Sequence, residues 1–535
     1  MDGSAREENS LTDDFTILDP DDASVRSRSA TGEGRRLSLV LWLAVALLAV
    51  VILLMAWLSD DAYITLRVVD NAVNGLGLTW NPAERVQAYT HPLWLFSLIG
   101  GRLLTGETYY SAIGLSVILS VVAIWLVAFR LRPGAAAVLG VLVLGLSRAF
   151  VDYSTSGLEN PLTHALLAAF LVVWLARPPS DRRVFALSLL AALLTLSRMD
   201  ALLLVAPALG WAVWQRRTWR AVGLAALGFA PLLLWLAFSL FYYGFPFPNT
   251  AYAKLATGIP PAALARQGMA YLLNSLRWDP VTLAIIFAAL GLAVATRRAG
   301  VLVVAAGIAL YLLYIIRIGG DFMSGRFLAA PLLAAVALLI VVGGQRLRRP
   351  VLMVSAAAIL GLGLIGHIPY WLAGRPSGES ARRDGDIADE RAYYTPYTGL
   401  FQAARAPHPW AEQGDVLRGA GAAVIEHGNV GFLGYYAGPA VHIVDRNGLT
   451  DPLLARLPVR DPADWRIGHF RREVPAGYVE TLRTGQNVIE NRELAAYYDV
   501  LRAVTRGPLW SRSRLAAVWR INRGDYNHLL PEVWP

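Results

Sequence analysis

Residues 37–58 read LSLVLWLAVALLAVVILLMAWL and pass directly into SDDAYITLR at 59–67. The first stretch is uncharged and 22 residues long. At 1.5 Å per helical residue that is enough to cross a hydrocarbon core of roughly 30 Å. The second stretch opens on two adjacent carboxylates, Asp60 and Asp61, at the point where the chain leaves the bilayer. This junction of a span with a carboxylate-bearing segment sets the reading of everything that follows.

The same apolar character recurs along the chain. Of 535 residues 56% are hydrophobic and only 16% charged, with a mean hydropathy of +0.45. A soluble surface needs about a quarter charged residues. Further spans are expected at about 109–130, 134–150, 158–176, 183–198, 200–215, 219–242, 279–296, 300–317, 326–345 and 351–373, roughly eleven with the first. The fold class is thus an α-helical polytopic membrane protein. Cysteine is absent, so disulfides, thiolate metal sites and cysteine nucleophiles are excluded.

The formal charge is +9, carried almost wholly by arginine, with Lys254 the single lysine. These arginines lie in short loops: Arg130/Arg132, Arg177/Arg182/Arg183, Arg216/Arg217/Arg220, Arg297/Arg298 and Arg346/Arg348/Arg349. Together with Arg35/Arg36 they fall on one side, as the positive-inside rule requires of cytoplasmic loops. That register holds if the apolar stretch 91–104 lies along the interface. Nucleic acid is not an expected partner; the lipid bilayer is.

Three parts follow. Residues 1–36 read as a polar, disordered cytoplasmic tail with no signal-peptide cleavage site. Residues 37–373 form the transmembrane domain, with a first outer loop at 59–108. Residues 374–535 are long enough for a small extracytoplasmic α/β domain, giving a multi-pass plasma-membrane protein with its N-terminus inside.

A helix continuing from Ser59 would place Asp60, Arg67, Asn71 and Asn74 on one face, since they are spaced by seven, four and three, and would break at Gly75-Leu76-Gly77. A carboxylate at the mouth of a water-poor cavity can take the proton of an attacking hydroxyl. Asp60 and Asp61 point about 100° apart, so one serves as base at a time, and the stripe favours Asp60. The same carboxylates also complement a helix dipole, worth about 0.3–1 kcal/mol.

Larger patterns extend this reading. Asp60-Asp61-Ala62-Tyr63-Ile64, Arg67, Asn71, Gly75, Gly77 and Asn81 are followed by Glu84-Arg85-Val86 and Tyr89-Thr90-His91-Pro92-Leu93-Trp94. Later come Gly157-Leu158-Glu159-Asn160-Pro161-Leu162, then Tyr242-Tyr243-Gly244 with Pro248-Asn249-Thr250-Ala251-Tyr252-Ala253-Lys254. Gly319-Gly320-Asp321-Phe322-Met323 with Arg326-Phe327 follows, and in the tail Gly434-Tyr435-Tyr436 and Asp445 with Gly448-Leu449-Thr450-Asp451-Pro452. This ordered set resembles the GT-C membrane glycosyltransferases related to the terminal arabinofuranosyltransferase of mycobacterial cell-wall (arabinogalactan and lipoarabinomannan) synthesis.

The resemblance implies transfer of a sugar from a polyprenyl phosphate, decaprenyl-phosphate arabinofuranose above all, to a cell-wall polysaccharide hydroxyl outside the cytoplasm. It makes Asp60 or Asp61 the catalytic carboxylate. Donor phosphate is expected at Lys254, Arg326 and Arg67, through charge-assisted contacts of about 1.5–3 kcal/mol each. Sugar or acceptor contacts are expected from Asn249, Tyr252, Asp321, Glu159, His91 and Trp94. Snorkelling, turn-forming and interface-anchoring roles compete for the same residues. A divalent cation held by Asp60 or Asp61 with Asp321 is a further use of these carboxylates, although no ligand spacing supports it. The sugar, linkage and stereochemical outcome stay open. A transferase for another polyprenyl-linked sugar, a lipid-linked sugar flippase and a wall-binding scaffold are the alternatives. Against the flippase, charges are scarce within the spans and polar residues gather at one end, whereas transporters place them near the midplane.

Overall fold

The computed structural model describes residues 32–255, 257–346, 349–372, 383–384, 386–402, 407–421 and 423–531. The disordered tail expected over 1–36 lies outside these residues up to 31, and residues 32–36 already belong to the first helix. That helix, α1 (Gly32–Leu54), ends before Trp57 and Leu58. Both of these are fully buried.

Ser59 then caps α2 (Asp60–Val73), its hydroxyl accepting from the Ala62 N–H at 3.3 Å. Asp60 and Asp61 therefore sit in the first turn, at the positive end of the helix dipole. Gly75 and Gly77, both at positive φ (78° and 84°), turn the chain away. The stretch after His91 is α3 (Pro92–Thr105), 14 residues with proline in its first turn. It spans only about 21 Å, too short to cross.

The bundle continues through α4 (Tyr109–Arg130), α5 (Ala135–Leu146), α6 (Arg148–Asp152), α7 (Asn160–Ala176), α8 (Asp181–Ser197), α9 (Leu202–Arg216), α10 (Trp219–Gly228) and α11 (Ala230–Tyr242). Next come α12 (Asn249–Leu255), α13 (Pro261–Trp278), α14 (Pro280–Thr296), α15 (Ala299–Ile318), α16 (Ala329–Arg346) and α17 (Arg349–Leu372). Among the described residues, four helices are long and apolar enough to cross a membrane, and six if each of two bent pairs counts as one span. The bends are 49° between α10 and α11 and 111° between α13 and α14. Pro280 starts α14 behind Asp279, as a proline at a helix start does. The remaining expected spans correspond to shorter helices of 12 to 17 residues, α5 and α7 to α9, and to α17, in which only Met353–Ile365 is a described apolar stretch of that kind.

The tail contributes β1 (Arg383–Asp384), β2 (Ile387–Ala388), α18 (Glu390–Thr398), α19 (Pro409–Ala420), β3 (Ala423–His427), α20 (Phe432–Ala437) and β4 (Val441–Asp445). Beyond them are α21 (Tyr478–Thr484), α22 (Arg492–Arg506) and α23 (Arg512–Asn522). β3 and β4 pair in parallel from Ala423↔Val441 to His427↔Asp445, with α20 as the crossover. β1 and β2 are antiparallel.

One apolar core lies within the helical bundle, running from Leu41 to Val342 and beyond. A second joins the first outer loop to the tail: Trp57, Leu66, Trp80 and Trp94 pack with Tyr394, Phe432, Leu433 and Ile443. Buried aromatics each cover roughly 150–250 Å², so this shared core welds loop and tail together. Hydrogen bonds reinforce the weld: Thr398 Oγ1 donates to Leu58 O at 2.6 Å, and Leu400 N to Ala56 O at 2.9 Å.

Candidate active site

The first turn of α2 is anchored on two sides. Ser59 N donates to Ser156 O at 2.9 Å, and Trp94 Nε1 to Gly157 O at 2.9 Å. These contacts bring the turn before α7, and with it Glu159, beneath Asp61. A second loop, 319–325, is fixed by its pairing with β2: Ala388 N donates to Phe322 O at 2.7 Å and Ser324 N to Ala388 O at 3.0 Å. Tyr271 on α13 completes the support, donating to Met323 O and accepting from Phe327 N, both at 3.1 Å.

Glu159 is the hub. Its carboxylate accepts from Arg326 Nη2 at 3.2 and 3.3 Å and from Arg198 Nη1 at 3.0 Å, with His91 Nδ1 at 3.4 Å. Arg198 also pairs with Asp200 (2.7 Å), to which Tyr311 donates at 3.0 Å. This bridge between turn residues extends into the site through Glu159, so the buried guanidinium of Arg198 is paired on both sides. Asp321 Oδ2 lies 3.6 Å from Arg326 Nη1, while Oδ1 accepts from Phe322 N at 2.8 Å. His91 shares a 2.9 Å hydrogen bond between Nε2 and Thr65 Oγ1, and burial pushes its pKa down to about 4, leaving it neutral at pH 7.

The paired aspartates divide. Asp61 is half-buried and coupled electrostatically to Arg326, Lys254, Asp321 and Glu159. Burial raises its pKa; Arg326 and Lys254 oppose the rise, and the two neighbouring carboxylates add to it. Lys254 is exposed, in the last turn of α12. Desolvation lowers its pKa against the attraction of Asp321 and Asp61. Asp60 turns the other way and accepts from Phe432 N at 2.7 Å. Burial pushes its pKa up to about 7 against that hydrogen bond.

Several expected residues fall elsewhere. Arg67 is buried, and its guanidinium donates to Trp80 O (2.9 Å), Gly434 O (2.5 Å) and Val441 O (2.9 Å). All its directions are taken by backbone, so it leaves the phosphate set. Asn71 donates to Thr79 O at 2.9 Å and Trp80 O at 3.1 Å, so the polar stripe of α2 faces protein and not a cavity. Asn249 Nδ2 donates to Gly448 O (2.8 Å) and Asp451 O (2.9 Å), pinning α12 to the tail. It acts on Lys254 by position, with no polar group left for a sugar. Tyr252 packs edge-on against Phe245 and beneath Arg456, 4.7 Å from its guanidinium. Trp94 is fully buried. Trp94 offers no free ring face for stacking, and Arg456 covers one face of the half-buried Tyr252.

The sequence reading missed Glu390. It is buried at the start of α18 and coupled to Asp61, Asp60, Arg466 and Asp321, and burial raises its pKa well above the usual carboxylate range. Only tertiary packing brings it there, because more than 300 residues separate it from α2. Among the described residues no three His, Asp or Glu side chains are grouped to hold a metal ion. The cations facing these carboxylates include Arg326, Arg198, Lys254 and Arg466.

No protein-family model matches the chain. Its fold is similar to that of ArnT from Cupriavidus metallidurans, solved bound to undecaprenyl phosphate: the TM-score is 0.50 at 13% identity, covering 78% of this chain and 88% of that one. In sequence it is 31% identical to the terminal β-(1→2)-arabinofuranosyltransferase of Mycobacterium tuberculosis, over 81% of this chain and 84% of that protein. The enzyme of the same name from Corynebacterium glutamicum is 29% identical over 52% of this chain; the chain spans only 47% of that longer relative. A polytopic helical bundle of this fold, in a chain so related, defines a membrane glycosyltransferase of the GT-C class. Within that class the chain belongs to the family of terminal β-(1→2)-arabinofuranosyltransferases.

Proposed function

We propose that the chain transfers a sugar, arabinofuranose, from a polyprenyl phosphate, decaprenyl phosphate in the first place, to a cell-wall glycan hydroxyl at the outer face of the plasma membrane. The observation that carries this reading is the ion-pair network of Arg326 with Glu159 (3.2 Å) and Asp321 (3.6 Å), to which Asp61 and Lys254 are electrostatically coupled, all delivered by distant segments. A general base and two cations in one pocket suit displacement of a phosphate by a hydroxyl.

In the step itself, the acceptor oxygen bonds to the anomeric carbon as the bond from that carbon to the phosphate oxygen breaks. Asp61 takes the hydroxyl proton, and the polyprenyl phosphate leaves with the bonding electrons. Lys254, exposed on α12, meets the phosphate together with Arg326, which Glu159 already holds. Glu159 and His91 position Arg326 and Asp61, and Asp321 orients the sugar. The tail and the loops carrying these residues face outside, and the arginine-rich loops face the cytoplasm.

The test is turnover of a panel of polyprenyl-phosphate sugars by the protein in nanodiscs, with a labelled glycan acceptor. Asp61→Asn should lower turnover by about 10²–10⁴-fold with unchanged yield and Tm, and Asp60→Asn much less. Full activity in Asp61→Asn overturns the base assignment; preference for a different donor sugar overturns arabinofuranose. Sidedness is read on single cysteines in this cysteine-free chain: Gln486→Cys should label with impermeant maleimide from outside, Arg217→Cys only after lysis.

A further inference from the structure

On the far side of α2 from Asp61 lies a separate cavity of about 380 Å³. That volume falls within the roughly 300–1,000 Å³ of ligand sites. Tyr63 and Leu66, which line it, are displaced roughly 140–200° around the helix from Asp61. Six tyrosines are among the residues that line it: Tyr63, Tyr109, Tyr110, Tyr397, Tyr435 and Tyr436. They come from α2, the start of α4, α18 and α20, so the cavity exists only because the tail docks on the first outer loop.

The rings stand as floor and walls. Tyr63 meets Tyr435 at 81° with centroids 5.2 Å apart, and Tyr435 meets Tyr436 at 79° and 5.4 Å. Such a corner offers flat apolar faces, and the Tyr109 hydroxyl, donated to Thr398 O at 2.7 Å, keeps oxygen lone pairs that can accept. Its electrostatics are equally specific: among the described residues no lysine or arginine lines it, Glu107 is the one acidic residue, and burial pushes the pKa of its histidine, His408, down to about 4. A phosphate or an anionic lipid headgroup meets no cation among the described lining residues, whereas Lys254 and Arg326 supply two on the opposite side of the helix. A carbohydrate matches, because its ring C–H faces pack on aromatic faces and its hydroxyls need neutral donors and acceptors.

We propose that this tyrosine-walled cavity is a second carbohydrate site, holding a neutral segment of the acceptor glycan away from the reacting hydroxyl. The proposal rests on the transferase reading above and adds a place where a long acceptor is gripped.

The experiment uses the full chain in nanodiscs and two probes, a linear arabinofuranosyl hexasaccharide and undecaprenyl phosphate. Tyr110→Ala with Tyr397→Ala, at an exposed and a half-buried position, should weaken hexasaccharide binding about tenfold or more and raise its KM with kcat unchanged. Undecaprenyl phosphate binding and turnover of a disaccharide acceptor should be unaffected. Phenylalanine at the same two positions keeps the ring faces and should retain most of the affinity, which separates loss of the site from loss of folding. Asp61→Asn should bind the hexasaccharide like wild type, so failure of the catalytic assignment shows in turnover alone. The proposal is overturned if wild type does not bind the hexasaccharide, if the alanine variants bind it normally, or if undecaprenyl phosphate is the probe that loses affinity.

Discussion

Asp61 differs from its neighbour Asp60 in what surrounds it. Asp60 faces a backbone N–H of α20, while Asp61 faces two cations and two carboxylates. With the pKa of Asp61 raised, the base is protonated at acid pH and ionises as pH rises, so turnover should increase along an acid limb above the ordinary carboxylate value. Lys254 holds that limb down, because its charge favours the ionised form. Lys254→Met should therefore move the acid limb of kcat/KM to higher pH, besides raising KM for the donor. A pH–rate profile checks this; a limb that moves to lower pH removes Lys254 from the neighbourhood of the base. Gly431 makes a point about space at the same scale. A Cβ there would fall 2.1 Å from the Asp60 carbonyl oxygen, so only glycine lets α20 come close enough to hold Asp60.

At the scale of elements, α2 works as an axle with three faces. Asp61 and Thr65 look toward Glu159 and His91, Arg67 and Asn71 are tied to backbone carbonyls, and Tyr63 and Leu66 line the aromatic cavity. Arg67 is the clearest case of a charged residue serving structure. Hydrogen bonds to a charged group are each worth about 1.5–3 kcal/mol, and a buried carbonyl left unpaired costs about 1–3 kcal/mol. Arg67→Met should accordingly lower Tm by several degrees. At a temperature where the variant is folded, its KM for polyprenyl-phosphate donor should stay within about twofold of wild type. A donor-specific KM defect without a change in Tm would restore Arg67 to the phosphate site. α12 follows the same logic: Asn249 bonds the tail so that Lys254 is presented at a fixed point.

Across the whole molecule, the outer loop and the tail fold as one body. The core that holds Trp57, Trp80 and Trp94 is completed by Phe432, Leu433 and Val441 from the tail, so neither half covers its own apolar surface. Residues 374–535 expressed alone should therefore aggregate or bind a hydrophobic dye strongly, even though their length suffices for a domain. A monodisperse fragment with a sharp, cooperative melt by calorimetry would show that the tail is an independent unit after all. The same docking creates the tyrosine-walled cavity and delivers Glu390 to the carboxylates, so activity and tail attachment should be lost together.

Sequence alone determined the membrane class and the first span, through hydropathy, and the helix that follows Ser59 and ends near Gly75, through spacing and turn residues. These depend on side-chain period, capping and glycine conformation within a few residues of one another. The residues that the family resemblance flagged along the chain included Asp61, Glu159, His91, Lys254, Asp321 and Arg326. Which of them meet, and that Arg67, Asn249 and Trp94 are instead consumed by backbone contacts, was decided only in three dimensions. A hydrogen bond between residues hundreds of positions apart leaves no local trace in the sequence. Glu390 was silent for the same reason: a carboxylate in an amphipathic tail looks like any solvated charge until a distant loop closes over it.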